Sequence, residues 1–268
     1  MSKIIITILL IIGAIIMVLP YWFMLSISFM TVQEASAIPP HFIPFHPIIS
    51  NYIELFSKLD FGRYFLNSVF ITLSLVIIQI ILCAITGYAF ARLYFPFKDL
   101  IFLLFVSVLM LPGIVLLIPR YLILKYLKLV NTLTGVILLE IFSIFGIFLY
   151  RQHFLSLPIE MEEAAIVDGA SLWQVFWKIM MPLSKPITTS FGLLVFIYAW
   201  NLFLWPLIVI TSPEKRTLPI AIALLQGQYF SNWGVIMAGG VIASIPPILL
   251  FLFAQKNFIE GITFTGIK

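Results

Sequence analysis

Six stretches of this chain run for about 18 to 27 residues almost without charge, at about 4–30, 64–90, 100–119, 133–150, 187–210 and 234–254. A hydrocarbon layer about 30 Å thick takes about 20 residues of helix to cross, so each stretch is long enough to span. None alternates with the period of two that marks a barrel strand. Lipid offers the backbone no hydrogen bonds, and helices satisfy their own. The chain is therefore expected to be an all-α integral membrane protein, a single transmembrane domain of six helices over residues 1–268. Composition agrees: 62% of residues are hydrophobic and 10% charged, against about 45–50% and about 25% in soluble domains.

The first stretch is not expected to be a cleavable leader. It runs from Ile4 to about Met30, well past the roughly 7–15 apolar residues of a signal peptide, and reads as a retained span. The net charge of +4 comes from 15 basic and 11 acidic residues scattered between apolar runs. No basic block is dense enough for nucleic acid, and the excess suits loops beside anionic headgroups. Cys83 is the single cysteine, so no intramolecular disulfide can form. His41, His46 and His153 show no ligand grouping, and no metal site is expected.

Pro112 with Gly113, Pro206, and Pro246 with Pro247 fall inside predicted spans. Such breaks persist where neighbours satisfy the freed carbonyls. They fit either a bundle that bends to open and close or kinks with no mechanical role. Charge does not orient the bundle. With the N-terminus inside, the inner segments hold Lys3, Arg92, Lys98, Arg151, Lys178, Lys185, Lys256 and Lys268. The outer ones hold Lys58, Arg63, Arg120, Lys125, Lys128, Lys215 and Arg216. Eight against seven is almost no bias for the positive-inside rule.

Three connections are long. Residues 31–63 contain Pro39, Pro40, Pro44 and Pro47, so order without continuous helix is expected. Residues 211–233 carry a turn signal at Ser212-Pro213-Glu214-Lys215. Residues 151–186 hold the densest polar cluster. There Pro158 suits a first helical position, and Glu160, Glu162 and Glu163 then complement the helix dipole. Ala164 and Ala165 are small enough to admit another protein's surface. Asp168-Gly169 signals a stop and turn, and Ser171 with Gln174 has capping-box spacing for a second helix. That helix would pass Phe176 and Ile179, with Pro182 and Pro186 closing the segment. About 35 residues is far more than a plain connection needs. The segment reads either as a docking element at the membrane face or as an interfacial hairpin with Trp173 and Trp177 in the headgroups.

The run Glu163-Ala164-Ala165-Ile166-Val167-Asp168-Gly169-Ala170, with Ile179 ten and Pro182 thirteen residues after Gly169, resembles the EAA loop of binding-protein-dependent ABC permeases. The resemblance covers nearly the whole chain and points to the carbohydrate branch, similar to the smaller of the two maltose-type permeases. It extends to Tyr88-Ala89-Phe90-Ala91-Arg92, to the stretch from Met110-Leu111-Pro112-Gly113 to Asn131-Thr132, to Ala199-Trp200-Asn201-Leu202-Phe203-Leu204-Trp205-Pro206 with Thr217-Leu218-Pro219, and to the tail with Glu260-Gly261-Ile262-Thr263. The tail departs from the pattern at Phe264-Thr265 and ends on Lys268 rather than glycine.

The resemblance implies a type I ABC importer permease fold in the cell membrane, with the EAA loop and both termini cytoplasmic. It implies a second permease subunit of different sequence, two ATPase subunits, an external solute-binding protein, and a sugar or sugar-like solute. The chain would be non-catalytic and bind no cofactor, ATP and Mg residing on the partner ATPase. It lacks the Gly-rich phosphate loop of such ATPases. Glu163, Ala164, Ala165, Asp168, Gly169, Ile179 and Pro182 would form the coupling loop.

Within the spans, Glu140 is the clearest ionisable residue and, since charge in lipid is costly, a translocation-path expectation beside a structural one. Asn201 is a second path expectation, and Gln79 reads as a helix contact. Arg120, Lys125 and Lys128, on and beside the short amphipathic stretch Tyr121–Leu129 that the topology puts outside, read as snorkelling cations, with contact to a binding protein as the alternative. An ion-coupled secondary transporter is the alternative; it would need coupling acids and an internal repeat, and Glu140 is thin support.

Overall fold

A computed structural model describes residues 2–39, 41–58, 60–228 and 232–263. Among these, the secondary structure is helical throughout, with no strand. The last five residues of the tail resemblance, 264–268, lie outside them.

Three helices are long and apolar enough to cross a bilayer unbroken: Lys3–Ser28, Phe61–Arg92 and Trp233–Ala254. They coincide with the predicted stretches 4–30, 64–90 and 234–254. Pro246 and Pro247 sit inside the last without ending it. Lys3–Ser28 is apolar on every face and exposes Ile8, Ile12, Ile16 and Trp22. A helix without a polar side needs an apolar solvent.

The other three predicted spans are interrupted. At 100–119, Leu111 is extended (φ −82°, ψ 126°) before Pro112, because a residue preceding proline is driven out of the helical region. The flanking helices Lys98–Met110 and Gly113–Tyr126 meet at 100°. At 133–150 the chain forms Leu133–Leu138 and Ile144–Ser156. Thr132 and Ser143 begin the two helices by accepting hydrogen bonds from the Gly135 and Gly146 amides, at 2.9 and 3.1 Å. At 187–210 the helix Lys185–Trp200 stops at Asn201 and a short helix Leu204–Val209 follows. The 211–233 connection turns at Pro213–Lys215 as expected, and also contains a helix, Leu218–Gln228.

The chain divides into two compact units. In the first, residues 1–66 and 216–246, the 29–52 loop folds back on the end of the first helix. Asn51 Nδ2 donates to the Ser28 and Met30 carbonyls at 3.0 and 2.9 Å, and the Ile48 amide donates to the Phe29 carbonyl. Glu34 caps its own turn at Thr31 and receives the His46 amide at 3.1 Å. The loop is ordered with only short helices, as its prolines predict. The second unit, residues 67–215 and 247–268, holds the three interrupted segments, the 151–186 hairpin and one continuous apolar core around Leu75, Cys83, Ile147, Tyr150, Phe154 and Phe191.

Candidate functional site

The 151–186 segment folds as a hairpin of helices. Its first arm is Glu160–Val167. Pro158 does not open that arm: Ile159 occupies the cap position, so Pro158 stands just outside. The stop is a Schellman motif. The Gly169 amide bonds the Ile166 carbonyl at 3.0 Å and the Ala170 amide bonds the Ala165 carbonyl at 2.9 Å. Gly169 has φ +84°, a conformation glycine adopts without steric cost. The spacing from the second alanine to the glycine therefore has a local cause, since Ala165 supplies the carbonyl that the turn closes on.

Ser171 and Gln174 form the expected capping box, with the Ser171 amide donating to Gln174 Oε1 at 2.8 Å. The second arm then departs from expectation. It passes through a π-helical turn, Phe176–Met180, and continues through Pro182 to Leu183. A wider turn just before the proline relaxes the bonding pattern that the missing N–H of Pro182 would break. The arm ends at the buried Ser184, where the chain bends by 78° into Lys185–Trp200, and Pro186 lies in the first turn of that helix.

The coupling residues separate by exposure. Glu163, Ala164, Asp168, Gly169 and Pro182 are exposed, whereas Ala165 and Ile179 are half-buried. Of the two alanines, then, Ala164 is the outward one. Apolar side chains share the exposed tip, with Val167 86% and Ile166 50% accessible.

Beneath the tip lies a clamp absent from the expected set. Of the three acids in the first arm, Glu162 alone is buried. Arg92 Nε stands 2.5 Å from Glu162 Oε1 as an ion pair without the alignment of an N–H···O bond, and Tyr88 donates its hydroxyl to Glu162 Oε2 at 2.9 Å. Arg92 also donates to the Leu157 carbonyl at 2.6 Å. Tyr88, Phe154 and Phe176 pack ring against ring at 5.3–6.4 Å. The hairpin is thus fastened at its base to the helices Phe61–Arg92 and Ile144–Ser156. Tyr88 to Arg92 carried part of the family resemblance, but their spacing does not say which acid they would meet, since that depends on helix rotation.

A second constellation surrounds Glu140 where the interrupted segments meet. Glu140 is 8% exposed and lies between the helices Leu133–Leu138 and Ile144–Ser156. One carboxylate oxygen pairs with Arg120, and the other accepts the Tyr198 hydroxyl at 2.9 Å. The carbonyls freed by the interruption are taken up by side chains: Arg120 donates to Leu139, Gln79 to Glu140 and Trp205 Nε1 to Val136. Arg120 also lies over the Trp205 ring, 4.5 Å from its centre. The snorkelling expected of Arg120 is overturned: a buried carboxylate and open carbonyls hold it more strongly than a headgroup. Gln79 makes the expected contact between segments. Asn201 is not part of this knot; it is exposed and bonds its own helix at the Ile197 carbonyl.

Residues 84–263 match the family described as binding-protein-dependent transport system inner membrane component. The chain belongs to this family. It is a multi-pass membrane transport component, and the permease of a binding-protein-dependent importer fits where an ion-coupled carrier does not. The arabinooligosaccharides transport system permease protein AraQ of Halalkalibacterium halodurans is 37% identical over 221 residues, 82% of this chain and 79% of the relative. The sn-glycerol-3-phosphate transport system permease protein UgpE of Escherichia coli is 30% identical over 261 residues, 94% and 93% of the two chains. Among solved structures, a bacterial ABC transporter involved in the import of the acidic polysaccharide alginate superposes with a TM-score of 0.81 at 25% identity, over 96% of both chains. The permease resemblance and the all-helical fold class are thereby borne out.

Proposed function

We propose that this permease carries a sugar or sugar-like solute through a path formed with a second permease chain, and that its 151–186 hairpin is where separate ATPase subunits take hold. One observation carries the reading: the hairpin pairs an exposed tip of small, acidic and apolar residues with a base clamped to two long helices through Arg92, Glu162 and Tyr88. A push on such a tip moves the helices rather than bending the hairpin. ATP bound between the ATPases biases a two-state bundle through these contacts.

In this reading Glu163 meets a basic residue of the ATPase, Ala164 lets the backbone approach it, and Asp168 with Gly169 sets the turn. The hairpin and both termini then face the cytoplasm, and an external binding protein delivers solute to the opposite side. Glu140 and Asn201 belong to the path. ATP and Mg stay on the partner chains.

The test is ATP-driven uptake by the reassembled transporter carrying Gly169→Asp or Ala165→Asp. Both variants should reach the membrane and lose uptake, because an aspartate at either place breaks the turn or its packing. Uptake at the parent rate in both would sink the assignment.

A further inference from the structure

The Glu140 knot opens on a recess of about 470 Å³ lined by Gln79, Glu140, Ser143, Phe145, Phe191 and Tyr198, among others. That volume falls within the roughly 300–1,000 Å³ of small-molecule sites. We infer that this recess is a binding subsite for an uncharged polyhydroxylated solute, and that its chemistry turns away acidic sugars and phosphorylated polyols. The inference rests on the permease reading above and adds the solute's charge class and its place in this subunit.

The argument is a count of donors and acceptors. A carboxylate offers about four lone-pair positions and no donor. Arg120 and Tyr198 occupy one each on Glu140, so acceptor capacity remains. Tyr198 spends its proton on Glu140, which leaves its oxygen as an acceptor. Gln79 spends one of its two N–H bonds on the Glu140 carbonyl, which leaves the other N–H and its side-chain oxygen. The Ser143 hydroxyl already accepts from the Gly146 amide, which leaves one lone pair and its own proton to donate. Arg120, the full positive charge of the knot, is not among the residues lining the recess. The surface presented to a solute is therefore richer in acceptors than in donors and carries the negative partner of the ion pair.

A hydroxyl group can donate to every one of these acceptors. A carboxylate, phosphate or sulfonate only accepts, and would find no donors in the lining beyond one Gln79 N–H and the Ser143 O–H, with no cation among the lining residues. Around the polar atoms stand the rings of Phe142, Phe145, Phe191 and Tyr198, apolar faces on which the C–H side of a sugar ring can lie. Glu140, buried and already neutralised by Arg120, can act as an acceptor there without the cost of an isolated charge.

The experiment uses the complete transporter, this chain with its partner permease, ATPases and binding protein, in proteoliposomes. Uptake of radiolabelled arabinotriose and maltotriose is compared with that of glycerol 3-phosphate and trigalacturonate. A neutral trisaccharide should be carried and the two anions not. Phe145→Ala, which leaves both members of the ion pair in place, should raise the half-saturating solute concentration about tenfold in transporters that assemble normally. Glu140→Gln should raise it too, while also weakening the fold. Anionic uptake in preference to neutral, or a half-saturating concentration indifferent to Phe145→Ala, overturns the subsite. No ATP-driven uptake of any solute overturns the permease reading itself, and the subsite with it.

Discussion

Replacing Glu162 by alanine should unfasten the hairpin from the membrane helices. Two charges about 4 Å apart attract by about 4 kcal/mol at an effective dielectric near 20. Much of that is offset by desolvation, since the side chains of Arg92 and Glu162 are only 11% and 7% exposed. Removing one partner of such a pair strands the other and costs about 3–5 kcal/mol. Alanine also removes the acceptor of the Tyr88 hydroxyl, so the upper half of that range is expected. Arg92→Met combined with Glu162→Leu should be less destabilising than either change alone, because the double variant buries no unpaired charge. Thermal unfolding of the purified chain in detergent compares the parent with each of these variants, with the exposed Glu160→Ala as reference. If Glu162→Ala lowers stability no more than Glu160→Ala, or if the two changes simply add, the clamp is not what holds the hairpin.

Gly87 permits the Phe61–Arg92 helix to touch Ile144–Ser156: a Cβ there would stand 2.6 Å from Tyr150 Cβ and 3.0 Å from the Arg151 amide nitrogen. Gly87→Ala should cost about 1–3 kcal/mol in the same unfolding measurement, whereas Gly113→Ala, with nothing within 4 Å of the new carbon, should be close to neutral. Glu34, outside the spans, has its carboxyl held below the usual carboxylate range, first by the Thr31 amide and also by His46. A depressed acid stabilises the fold above its unfolded pKa and stops doing so as pH falls through the folded value. Hydrogen exchange at the Thr31 and His46 amides should therefore stay slow at neutral pH and speed up on acidification below the carboxylate range, and Glu34→Gln should remove that dependence. Exchange insensitive to acid in the parent chain would refute the role of Glu34.

The features legible in the sequence were those with short-range causes. The Asp168-Gly169 stop, the Ser171 and Gln174 box and the 212–215 turn each depend on residues within a few positions, and each appears where its spacing predicts. The long apolar helices were equally readable, because hydropathy over 20 residues outweighs local detail. What spacing could not reveal was partnership at a distance. Arg120 looks like a surface cation until the fold brings it to Glu140, and the three acids of the first arm look alike until rotation buries Glu162. The interruptions were half visible: Pro112 announces one, but the break at Glu140 has no proline and is held open by side chains from other segments. Pro182 misled in the opposite sense, since a π turn lets the helix run through it.

The knot around Glu140 also bears on how such a chain can change over generations. Losing Arg120 alone leaves a buried carboxylate, and losing Glu140 alone leaves a half-buried guanidinium without its partner, so each single step passes through a destabilised ancestor. Because Arg120 also holds the Leu139 carbonyl, its loss would loosen the break itself. The two positions, twenty residues apart, should therefore be inherited as one character: kept together, or exchanged together for a pair of apolar residues.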